Sequence, residues 1–166
     1  SIGAAIAGNN TKPIICAEGD GSLMMNLQEL QTIKTNNQDI KIIILNNDGY
    51  HSIKQTQNNL FNGKERGYCG ADATSGLEFP NFEFIAKAFE IDYFAVKTLS
   101  QLQNSIKRIF EVNHAVILEF FVDPNQDFEP KLISKMLEDG TFVTPSLEDM
   151  HPFLSKDEMH ANKFKI

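Results

Sequence analysis

Two short stretches carry the residues whose types and spacing suit chemistry. The first is Gly19-Asp20-Gly21-Ser22, an acid set between two glycines directly after an apolar run. The second is Asn46-Asn47-Asp48-Gly49, again closing an apolar run, with 27 positions between Asp20 and Asn47. Asp20 and Asn47 offer hard oxygen ligands and a loop carbonyl supplies a third. That set suits Mg²⁺, which prefers octahedral oxygen coordination and fills its remaining positions with water and phosphate. The glycines let a backbone approach a ligand closely, and N–H groups exposed ahead of a helix suit a phosphate. Either stretch alone reads as an ordinary turn. With an amphipathic helix and a strand between them, the pair is far more specific than its halves.

These loops need elements to hold them. Four apolar runs read as strands, at 13–17, 40–46, 92–96 and 115–122. The second and fourth are continuous and rich in β-branched residues, the pattern of strands covered on both faces of a parallel sheet. Helical patterns lie between them. Leu27, Leu30 and Ile33 fall on one stripe, with Asn26 as the cap and Glu29 three residues on. Phe82, Ile85, Ala86 and Phe89 form a second stripe, and Leu99, Leu102, Ile106 and Ile109 a third. Strands alternating with such helices predict an α/β fold, a doubly wound, mainly parallel sheet with helices on both faces. In an open parallel sheet ligands bind beyond the carboxyl ends of the strands, and one βαβ unit brings both loops to that edge.

Two segments break the alternation. Residues 58–80, rich in Gly and Asn, read as one long connection, of the kind that is usually functional. Residues 123–166 read as an extension with a short helix at 131–138, packing on the same domain or on a partner. The chain opens at Ser1 on a small-residue helix already under way, which predicts an N-terminally truncated fragment of a larger protein, with residues 1–122 as one binding domain. The net charge of −7 comes without any Lys/Arg cluster, so nucleic acid and anionic membranes are poor partners. No apolar run reaches the length of a membrane span. Cys16 and Cys69 stand in no pair motif and read as reduced thiols of a cytoplasmic protein. His51, Lys54, Lys64 and Arg66 lie near the second loop and invite a channel or anion role, against the plainer reading of solvated turn residues.

The order GDGS, helix, strand, NN resembles the thiamine diphosphate motif of the pyruvate decarboxylase and acetolactate synthase superfamily, and "NNDGYHSIKQTQ" and "GLEFPNFEFIAKAFEI" are similar to the acetolactate synthase large-subunit branch. The resemblance implies a C-terminal diphosphate-binding domain with thiamine diphosphate and Mg²⁺ as cofactors. By the same resemblance, Asp20, Asn47 and the Gly49 carbonyl are the metal ligands, and Gly19, Gly21, Ser22 and Tyr50 complete the cofactor-binding set. The substrate it implies is a 2-keto acid such as pyruvate. The carboxylate that activates the cofactor ring lies in the family's other thiamine-binding domain, so no catalytic residue is assigned here. That partner domain, in the same or a neighbouring subunit, implies a homodimer or tetramer. Where the branch commonly carries a tryptophan and a methionine in the substrate channel, this chain has Thr56 and Ser52. A simple 2-keto-acid decarboxylase, or a non-catalytic phosphate-binding or assembly module, stand as the alternatives.

Overall fold

The computed structural model describes residues 1–162. Strands β1 (Ile14–Gly19), β2 (Ile40–Asn46), β3 (Asp92–Val96) and β4 (Val116–Phe121) form one sheet in the order β1-β2-β4-β3, with every pairing parallel. The chain has the α/β architecture that the alternation predicts. Around the sheet lie α1 (Ile2–Ala7), α2 (Asp20–Met24), α3 (Glu29–Thr35), α4 (His51–Phe61), α5 (Gly63–Arg66), α6 (Phe82–Ala88), α7 (Leu99–Phe110) and α8 (Lys156–Asn162). A two-strand ribbon, β5 (Lys135–Met136) with β6 (Phe142–Val143), stands apart.

The period-2 alternation of side chains divides the core in two. On one face Ile40, Ile42, Ile44 and Ile117 pack against Leu23, Leu30 and Ile33 of α2 and α3 and against Phe82 and Ala86 of α6. On the other face Val116, Leu118 and Val96 pack under Ile109 and Leu102 of α7. That helix reaches only β3 and β4. Over β1 and the carboxyl end of β2 the second face is open, with Ile15 57% and Leu45 46% exposed, so β2 is covered on both sides only toward its amino end, where Lys41 is sealed.

Several local expectations are corrected. Asn26 caps nothing: α3 begins at Glu29 with Gln28 as its N-cap and no side-chain cap bond, because the backbone already turns through 25–28. Residues 58–80 are not one open connection. They contain the end of α4, all of α5 and a 3-10 turn at Ala73–Ser75 capped by Asp72. The helix predicted at 131–138 is replaced by β5, which turns back through Gly140 (φ 83°) onto β6. The extension does pack on its own chain, since Gln55 Nε2 donates to the Phe128 carbonyl (3.1 Å) and Lys131 Nζ to the Ser52 carbonyl (3.2 Å). Leu99 and Ile106 keep their spacing on α7, yet both are exposed, Leu99 at 88%, and the helix packs through Leu102 and Ile109.

One charge is sealed inside this fold. Lys41, 0% exposed on β2, donates from Nζ to the carbonyls of Val112 (2.9 Å) and His114 (2.8 Å) and pairs with the Asp39 carboxylate. It thereby ties the end of α7 and the approach to β4 to the centre of the sheet. Removing one partner of a buried pair strands the others without solvent. Lys41→Met should therefore lower the unfolding free energy by about 3–5 kcal/mol in urea titration. Lys34→Met, which breaks an exposed pair with Glu90, should cost less than about 1 kcal/mol. Equal losses in the two variants would show that the Lys41 network carries no special weight.

Candidate metal and phosphate site

Both motifs stand at the carboxyl ends of neighbouring parallel strands, with Gly19 of β1 in register with Leu45 of β2. Gly19 ends the strand in an extended conformation, and Asp20 opens α2, so the acid sits on a helical turn and not in a free loop. Its side chain is 2% exposed. Oδ1 accepts the Gly21 N–H at 2.8 Å, and Oδ2 accepts the N–H groups of Asn47 and Gly49, each at 3.2 Å. The second motif thus wraps its backbone around the acid of the first. Burial raises the Asp20 carboxyl above its ordinary range, outweighing the backbone N–H donors that favour the anion. A carboxylate so placed lacks a cation more than it lacks hydrogen bonds.

The rest of the loop is shaped toward the same point. Asn47 Oδ1 is buried and has no hydrogen-bond donor. Asp48 takes the left-handed conformation (φ 58°), its N–H held by Asn46 Oδ1 at 3.0 Å. Gly49 has φ 155°, and a Cβ there would meet the Ala71 carbonyl at 2.5 Å, so only glycine fits against the 71–72 segment. The Gly49 carbonyl accepts the His51 N–H (3.1 Å) and keeps its second lone pair. Among the described residues no three His, Cys, Asp or Glu side chains cluster for a metal. What the structure brings together is the Asp20 carboxylate and the backbone N–H groups of Asn47 and Gly49, residues that also carry an amide oxygen and a carbonyl of the kind a hard cation takes.

The other sequence-predicted residues divide. Tyr50 does not project outward: its ring lies over Gly21 and meets Phe79 edge-on at 5.4 Å, and its N–H donates to the Ala71 carbonyl at 2.8 Å. Phe79 packs both in this internal pair and against the core. Ser22 is exposed beside a cleft of about 540 Å³ that Ile2, Glu18 and Asn26 also line. Glu18 accepts the Cys16 thiol at 3.8 Å. His51 is buried at the start of α4, its Nε2 3.3 Å from Asp127 and its ring edge-on to Phe128, so it lies under the extension and does not line an open channel. Lys54 is committed to Asp72 at 2.8 Å, which holds that carboxyl below its ordinary range, while Lys64 and Arg66 are exposed.

Sequence reasoning missed the 71–72 segment, which clamps Gly49 and Tyr50 from behind. Its one local sign is Asp72 followed three residues later by Ser75, the spacing of a capping box. It also missed Glu119, 2% exposed, whose Oε1 accepts Asn46 Nδ2 at 2.5 Å. Gly21 offers a direct test of the packing. A Cβ there would fall 2.2 Å from Tyr50 Cε1, whereas one on Gly19 would meet only Ser22 Oγ at 3.8 Å. Gly21→Ala should lower stability by about 1–3 kcal/mol through forced displacement of the Tyr50 and Phe79 rings. Gly19→Ala should stay within about 0.5 kcal/mol, both read by thermal unfolding. Similar losses in both would mean that Tyr50 yields freely.

Known proteins share these features. The family model described as thiamine pyrophosphate enzyme, C-terminal TPP binding domain, matches residues 1–120. The chain is 34% identical over 130 residues to the acetolactate synthase large subunit of Porphyra purpurea, covering 78% of this chain and 21% of that protein. It is 31% identical over 130 residues to the acetolactate synthase isozyme 1 large subunit of Escherichia coli, covering 78% and 22%. The chain therefore spans about a fifth of the length of these relatives. Among solved structures, a thiamine diphosphate-dependent 4-hydroxybenzoylformate decarboxylase of Rhodococcus jostii superposes with a TM-score of 0.63 at 22% identity, over 76% of this chain and 22% of that one. The family model over residues 1–120 and the identity to these relatives agree: this chain belongs to the thiamine pyrophosphate enzyme family, as its C-terminal TPP-binding domain.

Proposed function

We propose that this domain anchors the diphosphate of thiamine diphosphate through a Mg²⁺ held by Asp20, Asn47 and the Gly49 carbonyl, within a cytoplasmic, acetolactate synthase-like enzyme acting on a 2-keto acid such as pyruvate. The observation that carries the reading is the orphaned, buried Asn47 Oδ1 on the loop whose backbone encloses the buried, charge-starved Asp20. A buried acceptor without a donor is uncommon, and Asn47 Oδ1, in the residue whose own N–H bonds Asp20, fits a cation that completes it. Ser22, exposed beside Asp20, and the backbone of Gly19 and Gly21 are the groups nearest to hand for the diphosphate, with Tyr50 holding Gly21 from behind.

When bound, thiamine diphosphate supplies the electron sink for releasing carbon dioxide from a 2-keto acid. The residues of this chain fix where that group lies. Asp20 and Asn47 neutralise and orient the diphosphate end through the metal, and the 71–72 segment keeps the Gly49 carbonyl aimed. Glu18 is occupied with Cys16 and takes no acid–base role in this reading. The carboxylate that serves the ring comes from a second thiamine-binding domain, in the same or a neighbouring subunit of a homodimer or tetramer. Residues 1–122 form the binding domain and 123–166 its extension, of which residues 127–131 lie against α4. No helix among the described residues is long and apolar enough to cross a membrane. The relatives named acetolactate synthase, at 31–34% identity, favour a carboligase over a simple decarboxylase.

Calorimetry on the whole enzyme with Mg²⁺ and thiamine diphosphate tests the ligand set. Asp20→Ala and Asn47→Ala should each weaken Mg²⁺ binding by more than about tenfold, the loss that removing even an outer-shell partner causes. Lys64→Ala, whose side chain is exposed, should bind normally. Unchanged affinity in Asp20→Ala sinks the assignment. The 166-residue chain by itself should convert no pyruvate, since it offers no group to activate the ring. Turnover by that chain at the rate of a whole relative would remove the need for a second domain.

A further inference from the structure

Behind the second loop stands a hydrogen-bonded chain that the ligand set does not include. Glu119 sits in the middle of β4, opposite Ile44 of β2 and Ala95 of β3, and is 2% exposed. An acid inside a run of Val, Ile, Leu and Phe is costly unless both oxygens are answered. Oε2 accepts the Tyr93 hydroxyl in a very short bond, and Oε1 accepts Asn46 Nδ2 at 2.5 Å. Burial, and then this bond, push the Tyr93 phenol above its ordinary range, so its hydroxyl stays a donor. Asn46 is fixed from both ends. Its Oδ1 accepts the Asp48 N–H at 3.0 Å and its carbonyl accepts the Val122 N–H at 2.9 Å. Asp48 is the non-glycine residue that the loop holds in the left-handed conformation, immediately between Asn47 and Gly49.

We propose that Glu119, backed by Tyr93, is a positioning residue for the metal-binding loop, acting through Asn46 on the Asp48 turn that joins Asn47 to Gly49 beside Asp20. The proposal rests on the metal assignment above. Its physical basis is the cost of the turn: a left-handed aspartate is disfavoured relative to the β and right-handed regions, and persists only where its surroundings over-determine it. Here the over-determination is the Asn46 side chain, and its orientation is dictated by the carboxylate behind it. An asparagine released from Glu119 is free to rotate, and the Asp48 N–H then loses its acceptor. Outer-shell partners that orient metal ligands in this way are worth far more to affinity than their own contacts suggest.

Three variants of the whole enzyme test this. Glu119→Gln keeps the shape but turns one acceptor oxygen into a donor, Glu119→Leu removes both acceptors, and Tyr93→Phe removes the support behind them. Mg²⁺ affinity is measured by calorimetry with saturating thiamine diphosphate, and exchange of the Asp48 amide is measured in metal-free protein well below the unfolding transition. Glu119→Leu should weaken Mg²⁺ binding by about 10–100-fold, with Glu119→Gln and Tyr93→Phe falling between it and wild type. All three should speed exchange at Asp48 while the amides of 40–45 stay protected. If Glu119→Leu does not fold, Glu119→Gln decides. A purely structural Glu119 would lower the unfolding midpoint and leave Mg²⁺ affinity and Asp48 exchange unchanged, and that result overturns the proposal. Asp20→Ala run alongside separates the two readings. Lost affinity there with normal affinity in the Glu119 variants defeats only the positioning role, and normal affinity in Asp20→Ala defeats both.

Discussion

The Asp20 carboxylate is the point on which the site depends. Its two oxygens accept three backbone N–H groups, one from its own turn and two from the loop that follows β2. No other arrangement of these two strands would deliver that. Parallel pairing with Gly19 opposite Leu45 places the end of β1 just behind the start of the Asn46–Gly49 turn. The loop must then fold back through a left-handed residue and a glycine to turn two N–H groups onto the acid. The glycines of the two motifs have different duties. Gly49 is required by backbone conformation and by the Ala71 carbonyl, whereas Gly21 is required by the Tyr50 ring that closes over it. One packs the loop from behind and the other from beneath, so the acid and its donors are held on both sides.

Where the sequence was legible, the signal was strong and local in kind. Residues 40–46 run Ile-Lys-Ile-Ile-Ile-Leu-Asn, and 92–96 and 115–122 are nearly as apolar, so the four strands and their parallel sense could be read directly. The Asp20 and Asn47 pair was legible because a parallel sheet leaves its loops at a fixed edge. Helix α4 was not. Its sequence, His51 to Phe61, is almost wholly polar and shows no apolar stripe; what holds it is tertiary and polar, with Gln55 on the Phe128 carbonyl, Gln57 bonded twice to Cys69, and Lys54 on Asp72. A helix stabilised by such partners is invisible to periodicity, because the partners lie far along the chain. The opposite error occurred at 131–138, where Leu132, Ile133 and Leu137 have helical spacing, yet the Asp139-Gly140 turn sends the chain back as a ribbon. Local turn chemistry overrode the spacing there.

Three of the charged side chains buried in this domain, Lys41, Glu119 and Asp20, show how structural and functional groups differ. Lys41 is answered on every side, by two carbonyls and the Asp39 carboxylate, and its place is at the strand's amino end, away from both motifs. Glu119 is answered by two neutral donors and transmits its position to the loop through one of them. Asp20 also accepts hydrogen bonds, but burial still raises its carboxyl, and its neighbour Asn47 keeps an acceptor with nothing to accept. A protein that needed only stability would gain by filling that gap with an apolar side chain, since a half-satisfied polar pair is worse than none. Keeping it is a standing cost to the empty fold. A divalent cation held as proposed would remove that cost, favouring the Asp20 anion against burial and taking up the free Asn47 oxygen and the Gly49 carbonyl. Binding free energy there is therefore also folding free energy for the loop.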